Sequence, residues 1–522
     1  FKVMGGFNAE HQNVRTLSAQ RDGIIVPDLP TIDTSTEQDV AGGGYNHWAT
    51  AGFFGRLNYN YKEKYLLEVN GRYDGTSRFM KDQRWNFFPS FSLGWNVARE
   101  NFWKPLESVV NQFKLRGSWG ELGNQNTSNL YPFYEILPVK SNSGNWLVNG
   151  GKTNTADIPS LVSTLLTWER VRSFNVGFDF GAFSNRLTGS FDYFVRKAVD
   201  MVGPAPQLPL VLGIAPAIVN NADMKSYGFE IELSWRDRIG EVDYGVKFNL
   251  ADAQQKVVKY PNTTNAFSDW YAGKMSGEIW GYTSLGIAKT DEEMKEHLAS
   301  LPNGGQNQLG NKWGAGDIMY ADINGDGKID GGKGTLADPG DQRIIGNSTP
   351  RYNFGLVLDA SYKGFDVSIF FQGVGKRDYA PIVGTNGAVF WGAVNNIWQS
   401  MAMEEHFDYF RPEGHPMGAN LNGYYPRPDF TSNKNHQVQT RYLQDASYIR
   451  LKNLQIGYTL PKQWINKLHI NRCRVYVSGD NLWTGTSLAS MFDPETLAAG
   501  DWGSGKTYPL SKVISFGLNV NF

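Results

Sequence analysis

The last ten residues of the chain are VISFGLNVNF (513–522), and from Ile514 onward they alternate strictly between two kinds of side chain. Ile514, Phe516, Leu518, Val520 and Phe522 are apolar, and only polar or small residues stand between them. A period of two is typical of a β-strand with one apolar and one polar face. The segment therefore predicts a strand that lies between an apolar and a polar environment.

The same alternation recurs along the whole chain, for example over 65–74, 113–119, 227–236 and 243–250. A soluble β-sandwich shows this pattern too. Three further features favour a transmembrane β-barrel, an all-β fold. The strands run past the usual ~5–6 residues, their polar faces carry charges of both signs, and aromatic residues cluster toward strand ends as in interfacial girdles.

The composition excludes several other classes of protein. Net charge is −1, so no basic excess indicates a nucleic-acid partner. Cys473 is the single cysteine, which excludes a disulfide framework and a multi-cysteine metal site. A run of about 18 apolar residues, as a transmembrane helix needs, does not occur.

Connection lengths predict the topology, because outer-membrane barrels alternate short periplasmic turns with long external loops. Short connections fall near 61–64, 100–112, 183–186, 238–242, 363–365 and 461–471. The others fall at 14–47, 80–86, 122–168, 203–223, 259–349, 377–446 and 485–511. Leaving GEIWGYTSLGIA (277–288) inside an external excursion gives about 14 strands and keeps every short turn periplasmic. The last ten residues are then the closing strand, with Phe516, Leu518, Val520 and Phe522 toward lipid.

Several segments resemble SusC-like TonB-dependent outer-membrane transporters. They are FFGRLNYNYKEKYLLEVNGRYDGTSRF (53–79), FFPSFSLGWNVARENF (87–102), FKLRGSWGELGNQ (113–125), GDIMYADINGDGKID (316–330), RIIGNSTPRYNFGLVLDASYKGFDVSIFFQG (343–373) and YIRLKNLQIGYTLPKQWINKLHINRCRVYVSGDNLWTGT (448–486). The resemblance implies a 22-stranded barrel. Residues 1–522 would then be the C-terminal part of the barrel domain, with an external excursion at 259–349. The plug domain and the first strands are expected to be absent from this chain.

The resemblance also implies a function in the outer membrane of a Bacteroidetes-type bacterium. The expected role is active import of oligosaccharides, the products of glycan breakdown, as the barrel subunit of a SusCD-type complex energised through TonB. The implied partners are a SusD-like surface lipoprotein, TonB, the oligosaccharide ligand and outer-membrane lipid, together with further surface glycan-binding lipoproteins and a glycosidase. The alternatives are a peptide importer, a siderophore receptor and a passive porin.

The sequence does not match the catalytic motifs of known enzyme classes, so the chain is not expected to be an enzyme. It has no His-Glu-x-x-His and no Gly-x-Ser-x-Gly segment. GDWGSGKT (500–507) satisfies the phosphate-loop pattern, but Pro509 and a strand follow where that motif requires a helix. We interpret it as a Gly-rich loop tip. His406 and His415 share one loop, where solvated side chains are the expected state.

Aromatic residues in the long loops are candidates for substrate contact, because sugar rings stack their C–H faces on aromatic faces. The candidates are Trp391, Trp398, Tyr424 and Trp280 first, with Trp270, Tyr271 and Tyr425 beside them. On the strands, Glu68, Arg72, Arg116, Asp192, Arg196, Glu230 and Arg236 are predicted to face the lumen.

DINGDGKID (322–330) resembles the start of an EF-hand calcium loop and predicts a metal site at 322–341. Such loops supply oxygen ligands at alternate positions and place a glycine sixth, which is Gly327 here. The predicted ligands are Asp322, Asn324, Asp326, the Lys328 carbonyl, Asp330 and Asp341. Lys333 stands at the twelfth position and cannot bind a cation, so Asp341 is expected to close the site, with Asp338 in reserve. The expected cofactor is calcium.

Overall fold

The computed structural model describes the whole chain except residues 128, 206–210, 212, 215, 382–387, 393–402, 431, 467–468 and 498–506, and the side chains of 38, 39 and 388. The fold is mostly β. Among the described residues, no helix is long and apolar enough to cross a membrane.

One antiparallel sheet of fourteen strands forms the body of the protein, with every strand paired to the next in sequence. The strands are β1 Lys2–Ile24, β2 Ser35–Tyr61, β3 Tyr65–Thr76, β4 Trp85–Asn96, β5 Val110–Asn124, β6 Glu169–Ala182, β7 Leu187–Val202, β8 Asn220–Ile239, β9 Val242–Lys259, β10 Arg351–Tyr362, β11 Phe365–Lys376, β12 Tyr448–Thr459, β13 Arg472–Thr486 and β14 Val513–Asn521. The fourteen strands predicted from the sequence are confirmed.

Connections at the two ends of the sheet differ greatly in length, as predicted. The short-turn end carries tight links such as 183–186, 240–241 and 363–364, where Gly240 and Gly364 take positive φ. The long-loop end carries the excursions 260–350, 377–447 and 487–512. One boundary differs from the prediction, since the loop expected at 14–47 shrinks to 25–34. β1 and β2 stay paired from Lys2↔Asn58 to Ile24↔Ser35 and continue as a two-stranded ribbon beyond β3.

The long connections contain several pairs of short strands. The run 277–288 forms two short strands, Glu278–Gly281 and Ser284–Ile287, which pair with Arg343–Asn347 and Ile318–Tyr320 and not with the large sheet. Leaving it out of the fourteen strands was therefore right. The other short strand pairs are Val139–Lys140 with Thr155–Ala156, Leu147–Val148 with Gly151–Lys152, and Asp378–Tyr379 with Gln444–Asp445.

Helices are few and short in the described part of the chain. The α-helices are Asp291–Ala299, Ala388–Trp391 and Lys462–Ile465. The 3₁₀ segments are Ile32–Thr34, Lys81–Gln83, Val97–Arg99, Asn101–Leu106 and Glu404–Phe407. The first helix begins after Thr290, whose hydroxyl accepts a bond from the Glu293 N–H at 3.1 Å and so caps the helix.

The strand register collects apolar side chains on one face of the sheet. On β8, Phe229 stands beside Tyr193 of β7, and Ile231 stands between Phe191 of β7 and Leu250 of β9. Many large apolar side chains on this face are exposed, including Phe53, Phe87, Leu93, Phe174 and Phe516. An apolar surface this extensive fits lipid rather than water, as in the outward face of a transmembrane barrel.

Candidate functional site at the inner wall and the long-loop end

Charged side chains pair across the polar face of the sheet. Arg116 on β5 reaches over β6 to Asp192 on β7, with its Nη2 2.5 Å from one carboxylate oxygen, and also contacts Asp179 at 3.1 Å. Gly177 lies between Arg116 and Asp192 in the register. A Cβ at position 177 would meet an Asp192 carboxylate oxygen at 2.8 Å, so glycine keeps this path open.

A similar crossing, with the arginine two residues off the glycine's level, occurs a second time on the sheet. Arg474 of β13 bonds Asp366 of β11, with Nε 2.9 Å from the carboxylate, and Gly457 of β12 stands beside Asp366. A Cβ at Gly457 would lie 2.4–2.6 Å from the Arg474 guanidinium. Two Arg–Gly–Asp crossings therefore tie alternate strands together across the polar wall.

The predicted lumenal charges divide into two groups. Arg116 and Asp192 pair with each other, Arg72 pairs with Asp74 at 2.9 Å, and Glu68 accepts a bond from Asn70 at 2.9 Å. Arg196, Glu230 and Arg236 make no ion pair with any residue that the structure describes. The wall thus combines neutralised pairs with charges that remain open to water or solute.

At the long-loop end, three connections fold into one unit around a shared core. Residues of 260–350, 377–447 and 487–512 pack together there. The buried members are Tyr282, Leu301, Ile318, Tyr320, Ile329, Val389, Phe390, Trp391, Tyr425, Tyr442, Ala446, Leu488, Phe492 and Leu497. The loops are therefore a packed body rather than separate flexible tips, and we call it the external unit.

A buried ionic centre joins two of these connections. Asp317 is fully buried, and its carboxylate receives Arg427 through two bonds of 2.7 Å and the Lys434 ammonium at 2.9 Å. Asn435 and the Gly314 N–H complete the shell, each at 2.9 Å. Every lone pair of the carboxylate thus has a donor, which a buried charge requires.

The third connection is held to the sheet by a second ionic group. Arg450 on β12 is buried and donates to Glu495 at 2.7 Å and to Asp493 at 2.8 Å. Lys452, two residues further along β12, contacts Glu495 at 2.9 Å. Burial alone would raise the pKa of Asp493, but the hydrogen bonds from the Glu495 N–H and from Arg450 outweigh it, so the pKa is lowered. The connection 487–512 is therefore fixed to the wall near its start.

The structure separates the predicted substrate aromatics. Trp391 is fully buried in the external unit, and its Nε1 donates to the Pro381 carbonyl at 3.1 Å. This corrects the expectation of a sugar contact at Trp391, because a buried ring has no free face. Tyr424 is half-buried against Phe390 and bonded by Gln444, and Trp280 stacks on Phe267 at 4.5 Å. Trp398 lies outside the described residues, as do residues 500–506 of the phosphate-loop pattern.

Two histidines of the external unit are buried. His406 bonds the Phe390 carbonyl at 3.0 Å through Nε2 and accepts the Met403 N–H through Nδ1, so it is a satisfied core residue rather than a solvated one. His436 packs against Trp391 with ring centroids 4.5 Å apart, and neither of its ring nitrogens has a hydrogen-bond partner among the described residues. Burial lowers the pKa of His436 to about 4.

The EF-hand-like loop takes the expected shape. Asp322 accepts the N–H groups of Gly325 at 2.6 Å and Gly327 at 2.8 Å, and Gly327 has a φ of +79°. Asn324 accepts the Asp326 N–H at 3.1 Å, and Asp326 accepts the Lys328 N–H at 3.1 Å. The first, third and fifth residues therefore turn their side chains to the inside of the loop.

The end of the loop is arranged differently from the prediction. Asp341 is fully buried, and its two oxygens accept backbone N–H groups, from Ile323 at 2.8 Å and Asp330 at 2.9 Å. Burial raises the pKa of Asp341. The Lys328 ammonium lies 2.5 Å from Asp330 and lowers the pKa of that carboxyl. Asp341 therefore serves here as an anchor inside the loop.

These contacts do not form a complete set of calcium ligands. Among the described residues, no three Asp, Glu, His or Cys side chains are grouped closely enough to hold a metal ion. Asp341 would have to give up its backbone bonds, and Asp330 its lysine, before either could act as a ligand. Calcium binding stays a prediction that the chemistry of Asp322, Asn324 and Asp326 supports.

The sequence reasoning missed the residues that organise the external unit. Asp317 and Lys434 are 117 positions apart, and Arg450 lies 43 positions from Asp493. No local spacing links them. Only the strand alternation of β12, which places Arg450 and Lys452 on one face, gives a partial signal.

Comparison with known proteins adds the family context. A family model described as TonB dependent receptor-like, beta-barrel, matches residues 3–482. TonB-dependent receptor P3 of Formosa agariphila is 30% identical over 499 residues, which cover 90% of this chain and 45% of that protein. TonB-dependent receptor SusC of Bacteroides thetaiotaomicron is 24% identical over 486 residues, covering 90% of this chain and 43% of that protein.

Among solved structures, the RagAB peptide transporter superposes with a TM-score of 0.76 at 21% identity, covering all of this chain and 53% of that one. At this identity the likeness shows the fold. The chain spans about half the length of the curated relatives it matches.

Proposed function

The chain belongs to the TonB-dependent receptor-like β-barrel family, and from this premise we propose that it imports oligosaccharides across the outer membrane. Proteins of this family are receptors and transporters of the outer membrane rather than enzymes. The observation that carries the proposal is the family match over residues 3–482. The residue-level resemblance to SusC-like transporters favours glycans over other solutes.

The polar face of the sheet supports the passage of a polar solute. The inner wall pairs Arg116 with Asp192 and Arg474 with Asp366, while Glu230 and Arg236 stay unpaired among the described residues. A wall with many hydrogen-bonding groups suits a polar solute such as a sugar chain. The external unit is a packed body at the long-loop end, and it offers a surface for a lid.

We propose that the lid is a SusD-like surface lipoprotein and that TonB supplies the energy. The relative from Bacteroides thetaiotaomicron is named a TonB-dependent receptor, SusC. The residues that bear the family resemblance lie mainly on the strands, with 316–330 and 343–350 in the excursion 260–350, so they concern the transport body more than the substrate.

Peptide import is the second candidate function. It is favoured by the structural likeness to the RagAB peptide transporter and by the burial of Trp391, which removes one predicted sugar platform. Tyr424 and Trp280 keep part of their surface accessible and remain candidates for sugar contact.

The test is uptake by cells that carry the full-length protein. Fluorescently labelled oligosaccharides and labelled peptides of similar mass are offered with and without functional TonB. We expect TonB-dependent uptake of an oligosaccharide and co-purification of a lipoprotein. Uptake of peptides alone would replace the glycan proposal, and uptake that persists without TonB would contradict active import.

A further inference from the structure

A row of charged side chains, four of them basic, crosses five neighbouring strands at one level of the sheet. The register sets Glu121 of β5 beside Arg172 of β6, Arg172 beside Lys197 of β7, Lys197 beside Lys225 of β8, and Lys225 beside Lys256 of β9. Strands lie about 4.8 Å apart. The three lysines are therefore direct neighbours, and we call Lys197, Lys225 and Lys256 the lysine row.

The lysine row stands on the apolar, outward face. Side chains two residues apart on a strand share a face, so Lys225 is on the same side as Tyr227 and Phe229. On β6, β7 and β8 the level just below the row consists of Phe174, Val195 and Tyr227, which are also register neighbours, and on β9 it is Gln254. On β6 to β8, positive charge thus begins where the apolar surface ends.

The position along the strand matches the edge of a membrane. From Lys225 to Trp235, near the short-turn end of β8, the chain makes ten residue steps. At about 3.4 Å per residue and a tilt of about 45°, this gives roughly 24 Å, close to the ~25 Å apolar band of membrane barrels. Since the row lies toward the long-loop end, it lies at the headgroup level of the external leaflet.

Little protein charge balances the lysine row. Glu121 is committed to Arg172, with 2.7 Å between carboxylate and Nε. Lys197 has Asp223 at 3.7 Å, and Lys225 lies 5.3 Å from the centre of the Tyr227 ring. Lys256 forms no ion pair with the described residues. Like charges directly opposite each other on neighbouring strands destabilise a sheet, so an external anion would relieve the repulsion.

We propose that the lysine row binds the phosphate of a lipid in the external leaflet. The lipid's phosphate would sit among the three ammonium groups, and its acyl chains would run down the apolar surface over Val195 and Tyr227. Each lysine near such a surface contributes about fivefold in affinity, since it is worth ~1 kcal/mol. The inference concerns how the barrel is held in its membrane and is independent of which solute it imports.

The test compares lipid retention by the full-length protein in native mass spectrometry. The detergent-solubilised protein receives equimolar dioleoylphosphatidylglycerol and dioleoylphosphatidylcholine. We expect the wild type to retain the phosphatidylglycerol preferentially, Lys225→Gln to lose about fivefold of that preference, and the triple variant K197Q/K225Q/K256Q to lose it altogether. The matched control is Lys247→Gln, which changes an exposed lysine of the opposite face of β9.

Further variants and a competition experiment separate the effect of charge from that of misfolding, and a lipid phosphate from free phosphate. The triple variant K197R/K225R/K256R keeps the charge and should keep the lipid preference, which shows that loss in the glutamine variant does not come from misfolding. An equal loss in Lys247→Gln, or a triple glutamine variant that retains the preference, would overturn the proposal. So would complete displacement of the lipid by millimolar inorganic phosphate, because the site would then recognise free phosphate.

Discussion

Gly177 determines how closely Arg116 and Asp192 can approach across β6. A methyl group at this position would lie 2.4 Å from the Phe191 carbonyl oxygen, which is backbone and cannot move aside easily. Overpacking of this kind typically costs about 1–3 kcal/mol. We expect Gly177→Ala to lower the stability of the full-length barrel against urea in lipid vesicles.

Gly117 provides the control for that substitution. It lies on the neighbouring strand β5, and a Cβ there would meet its nearest atom at 3.8 Å, an ordinary contact. Gly117→Ala should therefore leave the urea midpoint unchanged. Equal midpoints for the two variants would show that the Arg116–Asp192 path does not depend on glycine.

His436 predicts an acid sensitivity of the external unit. Its folded pKa is about 4 because of burial, while an unfolded histidine has a pKa of about 6.5. Between these values only the unfolded segment binds the proton, so stability is full above about pH 6.5 and falls as the pH drops toward 4. The loss approaches roughly 3 kcal/mol. Hydrogen exchange of residues 432–446 should rise from pH 7 to pH 5.

The control for His436 keeps the ring and removes the titrating group. His436→Phe should abolish most of the pH dependence of hydrogen exchange in 432–446, while His469→Gln, at an exposed position of the short-turn end, should preserve it. A wild-type exchange rate that is constant over this range, after correction for intrinsic exchange, would contradict the prediction.

Between elements, Asp317 holds the excursions 260–350 and 377–447 together. Removing one partner of a buried ion pair typically costs about 3–5 kcal/mol because the other charge is left uncompensated. Asp317→Asn leaves Lys434, which is 1% exposed, with the more distant Asp429 carboxylate at 3.9 Å as its remaining countercharge among the described residues. We expect limited proteolysis to cut 427–435 faster in this variant, with the barrel still folded.

An exposed pair is the natural comparison for Asp317. Lys363 and Glu241 lie 2.7 Å apart at the short-turn end, with side chains 58% and 61% exposed. Solvent screens such pairs, so Lys363→Gln should leave proteolysis unchanged. If Asp317→Asn behaves like Lys363→Gln, the two excursions are held by their apolar core and not by the ionic centre.

The loop 322–330 gives the metal prediction its own test. Extracellular calcium modules bind with Kd values of about 10⁻⁴–10⁻³ M. We expect the chelator-treated full-length protein to bind calcium in calorimetry within that range, and Asp322→Asn to weaken it severalfold. Asp408→Asn, in another connection, should bind as the wild type does. Binding that is absent, or equal in all three proteins, would leave the loop as a hydrogen-bonded turn with Lys328 as its cation.

The strands were predictable from the sequence, and the packing of the loops was not. Alternation shows which side of a strand is apolar. The requirement that all short turns lie at one end of the sheet placed 277–288 outside it, as found. Neither signal exists for Trp391, because an aromatic residue in a long loop has the same local pattern whether it is exposed or buried. The Asp317 centre depends on residues more than 100 positions apart, which only the folded chain brings together.

At the scale of the whole molecule, the two faces of the sheet define how the protein sits in its membrane. Ile231 is midway between the lysine row and Trp235, on the apolar face, beside Phe191 and Leu250. An arginine at the middle of the lipid face of a barrel costs about 2–4 kcal/mol, whereas substitutions toward the lumen are tolerated. Ile231→Arg should therefore reduce the amount of folded protein in the outer membrane.

Glu232→Arg, one residue further and on the opposite face, should not reduce the amount of folded protein. The measurement is the heat-modifiable fraction of the full-length protein in isolated membranes. Equal folded fractions would mean that Ile231 does not face lipid, and a loss with Glu232→Arg alone would reverse the assignment of the two faces.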